Sequence, residues 1–202
     1  SALLDSQGEI RVRQRVPNPG NYPAAVKAVA DLAKRIEQEA SYESKTIGVG
    51  MPGSLSPLTG LVRNSNSTWL NGKPFLEDLK KATNKPVRCE NDANCFALSE
   101  AVDGAAAGAR VVFGAILGTG CGGGVVVDGK TIEGASGIGG EWGHTPLPWA
   151  RHDEIQVRDW CGRRGCLEQW ISGTGFKRTF NMDGHEADAA AKAGDPTARV
   201  AI

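Results

Sequence analysis

Val87-Arg88-Cys89-Glu90-Asn91-Asp92-Ala93-Asn94 passes from strand to helix with almost no loop between them. Val87 to Glu90 reads as a strand, Asn91 to Asn94 leads into a helix from about Ala93 to Val102, and Asp103-Gly104 breaks that helix. Asp92 therefore stands where a strand hands over to a helix. A carboxylate there projects into the crevice at the carboxyl edge of a sheet, where α/β proteins bind ligands. It can serve as a general base, or it can simply cap the helix that follows.

Upstream, Ala2 to Asp5, a turn at Ser6 to Glu9, and the alternating run Ile10 to Val16 predict strand, turn, strand. Asn21 can cap a helix over about Tyr22 to Ala40, with Val26, Val29, Ala30, Ala33 and Ile36 on one face. Thr46 to Gly50 reads as a short buried strand stopped by Met51-Pro52-Gly53, and Phe75 to Thr83 as an amphipathic stretch. Strands alternating with helices predict a mixed α/β sheet. Downstream, Val111 to Leu117, the corner Gly118-Thr119-Gly120-Cys121-Gly122-Gly123-Gly124, Val125 to Val127 and Lys130 to Ile132 predict a hairpin. The domain change is placed just before it, giving lobes of 1–105 and 106–202. Residues 134–165 are loop-rich, and the end from Ile171 to Ile202 reads as helical.

Composition bounds the rest. Twelve aromatic residues and 40% apolar residues in a chain of 202 exclude disorder. Lys+Arg and Asp+Glu balance at 23 each, so no global charge favours nucleic acid or an anionic membrane. No apolar run approaches the roughly 20 residues that span a bilayer. Five cysteines, an odd number, fit a reducing cytoplasm. Glycine is the outlier at 27 residues, and its clustering marks tight turns.

Three groups could carry chemistry. The corner at Gly118, Thr119, Gly120 and Gly122 can let backbone N–H groups wrap an anionic oxygen, or be a plain tight hairpin. It fits neither a P-loop nor a dinucleotide fingerprint. Glu141-Trp142-Gly143-His144 offers a carboxylate and an imidazole to a polyol, or forms a solvated loop. Cys161-Gly162-Arg163-Arg164-Gly165-Cys166 sets two thiols across a glycine-relieved turn. A tetrahedral metal would need two more ligands, with His144, His152 and Asp159 as nearby candidates; unligated thiols are the alternative.

In order, Gly48 to Gly53, Asn64 to Gly72, Glu90 to Asn94, Gly118 to Gly124, Gly140 to His144 and Cys161 to Glu168 resemble the motifs of the ROK family of sugar kinases. The stretches around Trp69 and Trp149 look most like its bacterial fructokinase (mannofructokinase) branch. The resemblance implies an α/β, two-lobed actin-like ATPase (ribonuclease H-like) fold, with sugar in a cleft and ATP phosphates held by hairpins. It makes Asp92 the base that takes the proton from the sugar hydroxyl, with Asn91, Glu141, His144 and Glu168 binding the sugar. It assigns Gly118, Thr119, Gly120 and Gly122 to phosphate. It also makes His144 a ligand of a structural zinc.

The sequence departs from the pattern in two ways. Asp159 stands where the family has the first cysteine of its zinc group, leaving Cys161, Cys166, His144 and Asp159 as the ligand set, with His152 in reserve. The family's opening strand, its Asp-x-Gly-Gly-Thr loop and its C-terminal part have no counterpart, so the fold is expected to be incomplete at both ends. The resemblance thus implies an ATP- and Mg²⁺-dependent kinase forming fructose 6-phosphate, cytoplasmic, binding Zn²⁺, and homodimeric at full length. Its partners would be a hexose and ATP, with no nucleic acid or membrane. Other hexose kinases of the family, and its sugar-sensing transcription regulators, are the alternatives.

Overall fold

The computed structural model describes residues 1–201; Ile202, the end of the expected helical tail, lies outside them. The chain divides into two compact units, Ser1–Asp92 with Ala135–Gly137, and Ala93–Gly134 with Ile138 onward.

In the first unit β1 (Ala2–Leu4) and β2 (Ile10–Arg13) pair antiparallel, with Leu3 opposite Val12. The strand expected to reach Val16 ends at Arg13, and the last rung is the Gln14 N–H on the Ser1 carbonyl at 2.9 Å. Asn21 caps α1 (Tyr22–Ala40) by accepting from the Ala24 N–H at 3.0 Å, which satisfies one of the donors a helix start leaves open. Leu32 and Ile36 of α1 bury against Leu3 and Val12. Then come β3 (Ile47–Met51), a small hairpin of β4 (Ser54–Leu55) and β5 (Val62–Arg63), α2 (Phe75–Thr83) and β6 (Val87–Asn91). β3 and β6 run parallel in register from Ile47 beside Val87 to Met51 beside Asn91. Met51, Val62, Leu70, Phe75, Leu79 and Val87 form the core between them and α2.

The strands of this unit alternate with helices as expected, but they pair as separate ladders, β1–β2, β3–β6 and the small hairpin β4–β5. A cavity of about 680 Å³ is lined by Ser1 to Leu4 and by Thr46 to Gly50, together with Val29, Ala33 and Ile36 of α1. The edges of β1 and β3 border that cavity instead of meeting.

In the second unit α3 (Asp92–Val102) rests on a meander of β7 (Val111–Leu117), β8 (Cys121–Val127) and β9 (Lys130–Thr131). Ala97, fully buried, packs with Val112 and Val126. Gly114 and Gly124 face each other across the ladder, and a Cβ on Gly124 would lie 2.7 Å from the Ala93 carbonyl and 2.9 Å from the Ala97 methyl. Two glycines therefore let the helix lie on bare strand backbone. For that reason residues 93–105, assigned from sequence to the first lobe, pack with the second unit. The expected corner also shortens: only Gly118 to Gly120 turn, whereas Cys121 to Gly124 are strand.

The helical end is broken into α4 (Glu168–Ile171), α5 (Gly173–Phe180), α6 (Gly184–Lys192) and α7 (Pro196–Ala201). Ser172 caps α5 on the Gly175 N–H, Asn181 ends it in the left-handed region at φ 53°, and an Asp183–Glu186 capping box starts α6. Among the described residues no helix is long and apolar enough to cross a membrane.

Candidate functional site

In the first unit the parallel strands β3 and β6 end side by side. The Asn91 amide donates to the Gly53 carbonyl at 3.0 Å, tying the two strand ends together. Asp92 follows as the first residue of α3 and is exposed. The location supports either reading made from sequence: a carboxylate in the first turn suits the helix dipole, and an exposed one can meet a ligand.

In the second unit the corner spends its acceptors on the protein. The Gly118 carbonyl accepts from the Gly173 N–H at 2.7 Å, and the Thr119 carbonyl accepts from the Thr174 hydroxyl at 2.9 Å. These bonds fasten the corner to the start of α5. A cavity of about 780 Å³ is lined by Gly118 and Thr119 together with Ser172 to Thr174, Lys177 and His185. Sequence reading missed the α5 side of this cavity. Its signal was the run of small polar and glycine residues Ser172-Gly173-Thr174-Gly175, a cap pattern that also leaves backbone accessible.

The Trp142–His144 turn is pinned to β8 by the Trp142 indole N–H, which donates to the Gly122 carbonyl at 2.6 Å, and by the edge of Phe113 at 5.8 Å. Glu141 is exposed at its start. Glu168, nearly fully buried, accepts from the Cys121 N–H at 2.8 Å on one oxygen and from the Trp160 indole at 2.7 Å on the other. Gly120 lies close beside it: a Cβ there would be 3.0 Å from that carboxylate, a tight contact. Burial, with the charges of Glu168 and Glu141, pushes the Cys121 thiol up to about 11. Cys121 is thus a neutral packing residue.

Two short antiparallel contacts build the knuckle. Pro146 pairs with Cys166 and Arg158 with Arg164, and the Asp159 N–H closes the turn on the Arg163 carbonyl at 2.8 Å. They gather His144, Asp159, Cys161 and Cys166, whose ligand atoms all lie within 4.8 Å of one another. His152 is exposed and outside this group. His144 Nδ1 meets Asp159 Oδ2 at 2.7 Å, and the two sulfurs lie 3.8 Å apart. Burial pushes the Asp159 carboxyl up, but hydrogen bonds from both thiols and Gln169, with the His144 charge, outweigh it and hold it at about 2. Burial and the neighbouring carboxylate raise the Cys166 thiol to about 12.

A family profile described as the ROK family matches residues 1–202. The chain belongs to the ROK family. A curated N-acetyl-D-glucosamine kinase of Citrobacter koseri is 38% identical over 190 residues, 91% of this chain and 62% of that protein. The crystal structure of a ROK hexokinase from Thermus thermophilus superposes with a TM-score of 0.79 at 35% identity, covering 92% of this chain and 63% of that one. A ROK glucokinase from Streptomyces griseus, solved with glucose and AMPPNP, gives 0.75 at 25% identity, covering 99% and 69%. The ROK fold assigned from the sequence motifs is the one found. The chain spans a little over three fifths of the length of the curated N-acetylglucosamine kinase it matches.

Proposed function

We propose that the protein is an ATP-dependent hexose kinase. The observation that carries the reading is the exposed carboxylate of Asp92, set where the tied strand ends of β3 and β6 give way to α3. Its kinship with sugar kinases supports the reaction class. Fructose specificity is not supported by these relatives, so N-acetylglucosamine, the substrate in the name of the Citrobacter koseri relative, takes precedence here.

Phosphoryl transfer rests on positioning and charge neutralisation, with little covalent work for the protein. Asp92 accepts the proton of the attacking hydroxyl as its oxygen bonds to the γ-phosphorus and the bond from that phosphorus to the bridging oxygen breaks, ADP leaving with the electron pair. Asn91, next to it in the chain, is the residue the family resemblance assigns to the same sugar. In the second unit the family resemblance assigns Glu141, His144 and Glu168 to sugar hydroxyls, and carboxylates and an imidazole suit a polyol because they accept and orient O–H donors. The Gly118 N–H closes the corner on the Gly120 carbonyl at 3.0 Å, so the donors left for phosphate are the N–H groups of Thr119 and Gly120 and the Thr119 hydroxyl, and the neighbouring cavity has room for the rest of a nucleotide. Mg²⁺ bound with ATP would supply neutralisation of phosphate charge; no residue of this chain is assigned to it.

His144, Asp159, Cys161 and Cys166 would hold zinc. The donor set of one nitrogen, one oxygen and two sulfurs suits a tetrahedral ion, whose ligands at about 2.0–2.3 Å stand roughly 3.4–3.8 Å apart. When bound, the ion would cross-link the knuckle.

Two measurements test the proposal. In the full-length protein Asp92→Asn lowers kcat about 10²- to 10⁴-fold while sugar binding persists; a kcat within a few-fold of the parent reduces Asp92 to a helix cap. Metal analysis of protein prepared without chelator gives one zinc per chain, and Cys161→Ser removes it. Unchanged metal content in that variant would show that the thiols are not ligands.

A further inference from the structure

Trp160 stands at the tip of the knuckle, where burial does not account for it. The Gly162 N–H closes a tight turn on the Asp159 carbonyl at 3.1 Å, and Trp160 is the first of the two residues between them. Turns of this kind favour small and polar residues. Trp160 is 66% exposed, yet its single polar group points inward: the indole N–H donates to Glu168 Oε1 at 2.7 Å. The ring also meets the His144 ring edge to face, with centroids 5.0 Å apart. A phenylalanine could make that ring contact as well, but only an indole carries an N–H on the flank of its ring.

Glu168 is thereby held from two directions. Its other oxygen, Oε2, accepts from the Cys121 N–H at 2.8 Å, at the first residue of β8. That strand donor cannot rotate, but one bond alone leaves a carboxylate able to turn about it. A second bond on the other oxygen fixes its plane. The rotamer freedom a glutamate loses on being fixed corresponds to roughly a tenfold change in an equilibrium constant. Here that freedom is already lost in the folded protein, so a ligand that meets Glu168 does not have to remove it.

We propose that Trp160 is the positioning residue for Glu168, its indole N–H fixing the plane in which the carboxylate meets a sugar hydroxyl. That the ligand is a sugar rests on the kinase reading above; the hold on Glu168 does not. Trp160 acts through Glu168, and Trp160→Phe isolates that action because it keeps a ring beside His144 and removes the donor. If the bond served only to satisfy a buried carboxylate, its loss would lower Tm and leave the KM of the folded protein unchanged. If it orients the carboxylate, KM rises as well.

The experiment pairs ¹H–¹⁵N NMR of the indole groups with steady-state kinetics on N-acetylglucosamine, both in the full-length protein. The Trp160 indole signal, assigned through its own backbone, should lie downfield of a water-exposed indole. In Glu168→Gln it should move upfield, because an amide oxygen is a weaker acceptor than a carboxylate. Trp160→Phe should raise KM about 10-fold at a temperature where both proteins are folded, with a smaller change in kcat because Asp92 is untouched. A Trp160 signal at the position of a water-exposed indole in the parent overturns the proposal, and this needs no variant to fold. A bonded indole with an unchanged KM in Trp160→Phe also overturns it, leaving the bond a structural one. A bonded indole in a parent that neither binds nor phosphorylates a hexose would instead overturn the kinase reading, and with it the sugar part of this inference.

Discussion

The corner at Gly118 to Gly120 and the knuckle from Asp159 to Cys166 lie in the same unit and use their polar groups in opposite ways. The corner is exposed, spends its carbonyls on α5, and borders a cavity. The knuckle buries Asp159 and satisfies its oxygens with side chains of its own unit. Backbone donors at a glycine turn can be presented to a ligand at little cost, because they need no rotamer to be fixed. A buried carboxylate must be paired, so Asp159 is satisfied by neighbouring side chains before any ligand arrives.

The largest expected effect probes the platform beneath the corner. Gly124→Val places a side chain where even a Cβ would be 2.7 Å from the Ala93 carbonyl. It should destabilise the protein by about 1–3 kcal/mol or more, the range for overpacking, seen as a fall in Tm. An unchanged Tm would mean that α3 does not rest on β8.

Gly118→Ala sharpens the contrast from the other side. A Cβ at Gly118 meets nothing within 4 Å, so Tm should hold. If the corner holds phosphate as proposed, nucleotide affinity should drop about 10-fold, or about 1.4 kcal/mol, because the methyl would stand in the way of the phosphate oxygens. Equal affinity for parent and variant would return the corner to a plain hairpin.

The smallest effect lies outside both regions and calibrates them. Glu37, mostly buried, accepts from Lys85 at 2.8 Å and from the Ser44 N–H at 2.9 Å. Burial pushes its carboxyl up, but the Lys85 ammonium and the Ser44 donors prevail and hold it below the usual carboxylate range. A lowered folded value means that the stabilisation is present above about pH 4.3, the unfolded value, and is lost as pH falls through the folded one. Glu37→Gln should cost about 1 kcal/mol at pH 7 and flatten the decline of Tm below pH 4. Parallel Tm curves for parent and variant would remove Glu37 from the acid transition.

How much was legible follows from range. α1 announced itself through its cap and its apolar stripe and α2 through its stripe alone, since both signals act within a turn of the residue that sends them. The handover at Asn91–Asp92 was equally local. The assignment of α3 to the second unit was not, because it depends on Ala97 meeting Gly114 and Gly124 far along the chain. Asp159 could be nominated as a ligand from its spacing to Cys161. The hold of Trp160 on Glu168 could not, since it depends on which way the knuckle turns its indole.

The gap bordered by β1 and β3 has a consequence on the time axis of amide exchange. A two-stranded ladder locks the amides that face the partner strand and leaves those that face away on a weaker footing. In the first unit this gives a seam: alternate N–H groups along Ala2–Leu4 and Ile47–Met51 exchange with the fast opening of an edge. Their neighbours facing β2 and β6 report the stability of the whole unit. The same residue run thus carries two clocks, and any segment that comes to lie in the cavity would set them to one.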